Sequence, residues 1–233
     1  MKRDARLIVA LDFTTPGESL SLVDALGDSV GTYKVGLQLF TAAGPEVIGE
    51  LVRRDKRVFL DLKLHEIPNS VAGATRAAGD LGVSMLTVHA SGGSAMMRAA
   101  VEAASETPGM QILALTVVTS LGDADLRELG ISRSCEEQAK LLASLAKKSG
   151  CHGVVASPRE AAMLRARLGD GMHIVTPGIR LEGRDVHDQV RVASPAGAIQ
   201  AGATHLIVGR AITQAGNPVE VARAVLAQIS GHP

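Results

Sequence analysis

The chain of 233 residues carries 24 Lys plus Arg and 24 Asp plus Glu, so its formal net charge is zero. This balance argues against a protein that coats nucleic acid or binds an anionic membrane surface. Aromatic residues make up 2% of the chain and Trp is absent, so no platform for stacking nucleic-acid bases is indicated.

Short apolar runs alternate with longer amphipathic segments along the chain. The runs predict strands at Leu7–Asp12, Thr32–Leu37, Arg57–Leu62, Ser84–His89, Gln111–Val117, Gly153–Ala156, Met172–Thr176 and Thr204–Val208. The segments predict helices at Glu18–Leu26, Pro45–Arg54, Ser70–Leu81, Ser94–Ala104, Glu136–Lys148, Pro158–Leu168 and Pro218–Ile229. This alternation indicates βαβ units and a parallel sheet.

Eight such units fit one α/β domain, a (β/α)₈ barrel over residues 1–233, because that fold uses about 250 residues. The alternative is a doubly wound open sheet, which usually carries a Gly-rich turn after its first strand. Here that turn runs from Asp12 to Gly17 and has no such fingerprint, so the barrel is favoured.

The period-two pattern of three strands predicts which side chains face the barrel axis. Those expected to face the helices are apolar: Leu7, Val9, Leu11, Tyr33, Val35, Leu37, Leu86 and Val88. Those expected to face the axis become polar toward the carboxyl end of each strand: Ile8, Ala10, Asp12, Thr32, Lys34, Gly36, Met85, Thr87 and His89. Active sites of such barrels lie at that end.

The stretch from Asp61 to Glu66 follows the apolar run Val58-Phe59-Leu60 and carries the strongest chemical signal. Residues two apart share one face of a strand, so Asp61 and Lys63 are expected to point the same way. An acid beside an ammonium on a rigid strand is typical of proton chemistry on a small anion. Asp12, Lys34 and His89 are expected to reach the same region from other strand ends.

Interleaved charges in this region, with Glu66 as a second acid beyond Asp61, would keep one another ionised and leave Lys63 a proton donor at neutral pH. We expect His89 to be a hydrogen-bonded pocket residue rather than a metal ligand, because the histidines show no metal-ligand pattern.

Two later loops predict a phosphate site. Thr176–Arg180 follows the seventh predicted strand and Val208–Ala211 follows the eighth, the loops that often hold phosphate in barrels. Glycine lets backbone N–H groups approach the oxygens, and Arg210 can donate two hydrogen bonds. The polar stretch Gly178–Asp188 is the candidate lid. The alternative is that Gly209 and Arg210 merely end a strand.

These motifs, in order and spacing, resemble the orotidine 5′-phosphate decarboxylase family over the whole chain. The resemblance rests on Ala10-Leu11-Asp12, Lys34-Val35-Gly36, Phe59 through Asn69, Leu86 through Ala90, Val118-Thr119-Ser120, Thr176 through Arg180, Asp188-Gln189 and Val208-Gly209-Arg210. It implies a homodimer without cofactor or metal that converts orotidine 5′-phosphate to UMP and CO₂ in pyrimidine biosynthesis. A cytoplasmic location is expected because the N-terminal apolar run Leu7–Leu11 is too short for a signal peptide or a membrane span. The balanced charge predicts no nucleic-acid or membrane partner.

The resemblance also implies residue roles. Asp12 and Lys34 would hold ribose hydroxyls, Asp61 would lie against the substrate carboxylate, and Lys63 would protonate C6 of the pyrimidine. Residues expected to reach the partner subunit's site are Glu66, Ile67 and Ser70. Residues expected to line the base and phosphate pocket are Thr119, Pro177, Arg180, Gln189, Gly209 and Arg210.

Two positions depart from the family pattern: Glu66 replaces an Asp and Ser70 replaces a Thr. Two alternatives follow. A Mg²⁺-dependent relative, of the 3-keto-L-gulonate 6-phosphate decarboxylase or hexulose-phosphate synthase type, shares the motif but has an acid in place of Lys34. A weakly catalytic nucleotide-binding homologue is favoured only by Glu66. The cysteines Cys135 and Cys151 show no redox or metal spacing and are expected to be free thiols.

Overall fold

The computed structural model describes residues 4–180 and 193–231. Eight parallel strands close into a barrel in chain order, with the last paired to the first. The strands are β1 Leu7–Ala10, β2 Thr32–Gly36, β3 Arg57–Leu64, β4 Met85–His89, β5 Gln111–Leu115, β6 Gly153–Val155, β7 His173–Thr176 and β8 His205–Val208. The predicted (β/α)₈ fold is confirmed.

Helices cover the outside of the barrel. They are α1 Pro16–Leu26, α2 Leu37–Ala43, α3 Glu46–Arg53, α4 Pro68–Asp80, α5 Gly93–Ala104, α6 Asp123–Glu128, α7 Cys135–Lys148, α8 Ala161–Leu168, α9 Pro195–Gln200, α10 Arg210–Thr213 and α11 Pro218–Ile229. Helices α2, α6 and α9 were not predicted, because six or seven residues are too few to show a clear helical period.

Local sequence explains where the longer helices begin. At α7, the Ser134 Oγ accepts a hydrogen bond from the Glu137 N–H at 3.2 Å, and the Glu137 carboxylate accepts one from the Ser134 N–H at 2.9 Å. This reciprocal pair is a capping box and satisfies two N–H groups that the helix leaves open. Thr15 and Asn217 cap α1 and α11 through their side-chain oxygens.

The core has two layers. The larger packs the outer faces of the strands against the helices, and the smaller fills the barrel interior with Ile8, Ala10, Phe59, Met85, Leu113, Leu115, Val155, Val175 and Ile207. The apolar side chains predicted to face the helices do so, except Leu37. That residue begins α2 instead of continuing β2, and it is 57% exposed.

No helix within the described ranges is long and apolar enough to span a membrane.

Candidate active site

A cavity of about 220 Å³ opens at the carboxyl end of the barrel. It is lined by Ala10, Asp12, Lys34, Asp61, Lys63, Leu115, Val118, Thr119, Val155, Pro177, Gly178, Arg180, Ile207, Gly209 and Arg210. The top of the apolar barrel interior forms part of its wall, so charged groups from the strand ends face a water-poor surface. Electrostatic interactions in such surroundings are stronger than in bulk water.

Four side chains form an alternating row of charges across the cavity floor. Lys63 Nζ lies 2.9 Å from Asp61 Oδ2, and Lys34 Nζ lies 3.5 Å from the same oxygen. Lys34 Nζ also donates to Asp12 Oδ1 at 3.1 Å. Asp12, rather than the expected Glu66, is therefore the second carboxylate of the row in the single chain.

Asp61 is the most buried member of the row, with a side chain 8% exposed. Burial acts to raise its pKa, but the charges of Lys34 and Lys63, with hydrogen bonds from Lys63 and Thr87, outweigh burial and lower the pKa. The carboxylate is thus ionised at neutral pH and can repel a second anion brought against it.

Gly36, at the end of β2, makes room for the pair formed by Lys34 and Asp12. A Cβ on Gly36 would lie 2.8 Å from Lys34 Nζ and 3.2 Å from Asp12 Oδ1. Any side chain there would displace the ammonium. The sequence places Gly36 on the inner face, but reasoning from periodicity did not identify this role.

Strand β3 does not keep a simple two-residue period through its functional residues. The β3–β4 register shifts between Leu60 and Leu64, and Lys63 has a φ of 52°. Thr87 on β4 faces this bulge, donating to Asp61 Oδ1 at 2.9 Å and accepting from the Lys63 N–H at 2.9 Å. Asp61 and Lys63 do share a side, as predicted, but a bulge and a neighbouring hydroxyl hold them there. The role of Thr87 was missed.

The two predicted phosphate loops both reach the cavity. Gly178, Arg180, Gly209 and Arg210 all line it. Gly178 has a φ of 78°, a conformation that favours glycine. Two basic side chains beside glycine backbone form an arrangement that can hold a dianionic phosphate.

The predicted site residues fall into three groups. Those that line the cavity are Asp12, Lys34, Asp61, Lys63, Thr119, Pro177, Arg180, Gly209 and Arg210. Glu66, Ile67 and Ser70 are exposed and lie outside it, and the Glu66 carboxylate accepts from the Ile67 N–H at 2.6 Å. Gln189 and most of the candidate lid Gly178–Asp188 lie outside the described residues.

His89 does not line this cavity. Its ring stacks on His65 with centroids 5.3 Å apart, and its Nδ1 lies 2.5 Å from Ser91 Oγ. Burial, followed by the charges of His65 and Lys63, lowers its pKa. The expected hydrogen bond is present, but the expected place in the pocket is wrong, because the ring turns toward the loop after β4.

The apolar part of the wall was not assigned to the site from the sequence, although Ala10 was expected to face the axis. It consists of Ala10, Leu115, Val118, Val155 and Ile207. Inward-facing positions at the carboxyl ends of the strands carry the signal that could have found most of them.

Within residues 4–180 and 193–231, no group of three or more His, Cys, Asp or Glu side chains is arranged to hold a metal ion.

Comparisons with known proteins agree with this geometry. The model of the orotidine 5'-phosphate decarboxylase / HUMPS family matches residues 5–225. The chain is 51% identical over 216 residues to the orotidine 5'-phosphate decarboxylase of Alkalilimnicola ehrlichii, covering 92% of each chain. It is 49% identical over 231 residues to the enzyme of that name from Moorella thermoacetica, covering 96% of this chain and 92% of the relative.

Among solved structures, the crystal structure of orotidine 5'-phosphate decarboxylase from Lactobacillus acidophilus is similar, with a TM-score of 0.86 and 37% identity over 97% of this chain and 99% of that one. Residues 5–225, which the family model matches, include all eight strands, the row of charges and Arg180 and Arg210. The chain belongs to the orotidine 5'-phosphate decarboxylase / HUMPS family.

Proposed function

We propose that the chain is a carboxy-lyase that converts orotidine 5′-phosphate to UMP and CO₂ in pyrimidine biosynthesis, and that residues 1–233 form one catalytic domain. The observation that carries the proposal is the Lys63 ammonium, held 2.9 Å from the buried Asp61 carboxylate in a cavity that Arg180 and Arg210 also line. Relatives at 49% and 51% identity bear the name of this enzyme.

In the proposed chemistry, the bond between C6 and the carboxylate carbon breaks and its electron pair stays on C6. The Lys63 ammonium stabilises this developing negative charge and then transfers a proton to C6, which gives UMP. Ionised Asp61 repels the substrate carboxylate, and this repulsion ends when neutral CO₂ leaves. The cavity already presents the positive charge before the substrate arrives, so little reorganisation is needed.

The remaining groups are proposed to bind the nucleotide. Asp12 and Lys34 hold the ribose hydroxyls, and Arg180 and Arg210 hold the phosphate. Thr119 and Pro177 lie against the base, with Gly209 beside the phosphate; Gln189 is assigned here on the family resemblance alone. Binding energy from the phosphate, far from C6, can position the reacting atoms.

Lys34 supports a reaction that needs no metal. Its ammonium lies 3.1 Å from Asp12 and 3.5 Å from Asp61, between the two carboxylates that could otherwise share a cation. Mg²⁺ binds oxygen ligands and its charge would be repelled by an ammonium at this position. We therefore favour the decarboxylase over the Mg²⁺-dependent relatives.

A homodimer with shared sites is proposed on a separate ground. Glu66, Ile67 and Ser70 are exposed in the single chain, with Ile67 62% exposed; Leu37, at the start of α2, is 57% exposed. An apolar residue this exposed, next to an acid of the catalytic motif, fits a surface that a second copy covers. A cytoplasmic location is proposed because both cysteines are free thiols.

The test is the fall in ultraviolet absorbance when orotidine 5′-phosphate is added to the purified chain in buffer with EDTA. The proposal expects turnover at the same rate with or without the chelator. Loss of activity in EDTA and recovery with Mg²⁺ would favour the metal-dependent relatives. Binding of UMP without any fall in absorbance would instead indicate a nucleotide-binding homologue.

A further inference from the structure

We propose that Thr87 is a positioning residue for the decarboxylation: its hydroxyl, on β4 opposite the bulge in β3, fixes the Asp61 carboxylate and the Lys63 backbone in their working geometry. This inference rests on the function proposed above and assigns a role to a side chain that does not line the cavity formed by the described residues.

The register of β3 and β4 places Thr87 opposite the bulge in β3. Leu60 pairs with Leu86, and Leu64 pairs with Val88. Residues 61, 62 and 63 of β3 therefore lie opposite one residue of β4, which is Thr87. Extra residues in one strand interrupt the ladder of backbone hydrogen bonds, so the Lys63 N–H donates to a side chain instead, to Thr87 Oγ1 at 2.9 Å.

The chemistry of the three groups fixes the direction of both hydrogen bonds. The Lys63 N–H can only donate, so Thr87 Oγ1 accepts from it. An ionised carboxylate can only accept, so the Thr87 hydroxyl donates to Asp61 Oδ1, also at 2.9 Å. Thr87 is 0% exposed, so no solvent water competes for either bond.

These two bonds act on the parts of the site that carry the chemistry. Asp61 Oδ2 faces Lys63 and Lys34, so the bond at Oδ1 sets the rotation of the carboxylate toward both ammonium groups. Lys63 has a φ of 52°, which is uncommon for a residue with a side chain. The Thr87 hydroxyl supports this conformation and with it the point from which the lysine side chain leaves the strand.

Removing the hydroxyl is expected to impair the chemical step more than nucleotide binding. The phosphate and ribose groups are held by residues of other elements, whereas the ammonium that faces C6 depends on the bulge. A misplacement of about 1 Å at such a site costs on the order of 100-fold in rate. We expect Thr87→Val to lower kcat about 10- to 100-fold, with KM and the affinity for UMP changed less than about threefold.

Two further variants separate positioning from packing. Thr87→Ser keeps the hydroxyl and is expected to recover kcat to within about fivefold of the parent chain. Thr32→Val is the matched control: Thr32 also points into the barrel, is 1% exposed, and its Oγ1 has no hydrogen-bond partner among the described residues. That control is expected to leave kcat unchanged.

The experiment measures kcat, KM and UMP affinity for the four proteins, with urea unfolding to check each fold. If Thr87→Val does not fold, the ratio of kcat between Thr87→Ser and Thr87→Ala replaces it, and the inference expects a ratio of about ten or more. The inference would be overturned by a kcat ratio near one between Thr87→Ser and Thr87→Ala, or by a kcat for Thr87→Ser no higher than that for Thr87→Val. A loss confined to KM would also overturn it. An inactive parent chain would instead contradict the proposed function.

Discussion

Both ends of the barrel bury titratable groups, but the buried group at the carboxyl end is charged and those at the amino end are neutral. At the carboxyl end, Asp61 keeps a lowered pKa because Lys34 and Lys63 outweigh its burial. At the amino end, His173 and His205 pack edge to face with ring centroids 4.9 Å apart. Burial, followed by the charge interactions with His173 and Arg57, lowers the pKa of His205 to about 4.

The difference shows which end is organised for chemistry. Opposite charges hold one another at the carboxyl end, so a charged site exists before any substrate binds. At the amino end the rings serve as neutral hydrogen-bonding groups, as when His152 Nδ1 accepts from the Ile112 N–H at 3.0 Å. A buried ionisable group therefore marks a reactive site here only where a partner of opposite charge accompanies it.

Apart from the replacement of Lys63, the largest effect that sharpens this comparison is expected from Arg210→Ala at the charged end. Hydrogen bonds to a charged group are worth about 1.5–3 kcal/mol each, so the loss of two to phosphate should lower kcat/KM at least about 100-fold. The exposed Arg223 on α11 gives a matched control, because Arg223→Ala removes the same charge far from the cavity. A kcat/KM for Arg210→Ala within about twofold of the parent chain would exclude the phosphate role.

A fall in pH is expected to destabilise the folded chain first through the buried histidines at the amino end of the barrel. The folded chain keeps His205 uncharged until about pH 4, whereas the unfolded chain binds a proton there below about pH 6.5. The unfolded state thus binds more protons in this window, and the free energy of unfolding falls as the pH drops, by on the order of 3 kcal/mol from His205. His173 and His152, whose pKa values are also lowered, act in the same direction.

Urea unfolding from pH 8 to pH 4, with and without His205→Gln, measures this loss. The variant should show a flatter dependence on pH between 6.5 and 4. Asp61 does not contribute in that window, because its lowered pKa makes its stabilisation disappear only below the ordinary value of 3.8. Parallel curves for parent and variant would show that His205 is not held neutral by the fold.

The smallest expected effect comes from a test of whether Glu66 of a second chain completes the site at the carboxyl end of the barrel. Mixing Lys63→Ala with Glu66→Ala in equal amounts, under conditions that allow subunit exchange, makes half of the dimers mixed. Each mixed dimer has one site with both Lys63 and a partner's Glu66, so about one quarter of all sites regain function. No recovery after verified exchange would mean that Glu66 acts within its own chain or not at all.

The sequence predicts the barrel well because every strand carries one apolar face and every long helix an apolar stripe. It also predicts most of the charges that reach the cavity, since strand ends and the inner face follow from counting residues, although Glu66 and His89 do not line it. It fails where the backbone leaves its regular period. Four such features depend on neighbouring strands and loops: the bulge at Lys63, the hydrogen bonds of Thr87, the turn of His89 away from the cavity and the end of β2 before Leu37.

Replacement of Lys63 by alanine tests the central claim most directly, with Lys148→Ala on the exposed last turn of α7 as the matched control. Both proteins are given orotidine 5′-phosphate, and the release of CO₂ and the affinity for UMP are measured. The account predicts that Lys63→Ala loses at least about 1000-fold in kcat while still binding UMP, because it lacks the fixed charge at C6. Undiminished release of CO₂ by Lys63→Ala would contradict it.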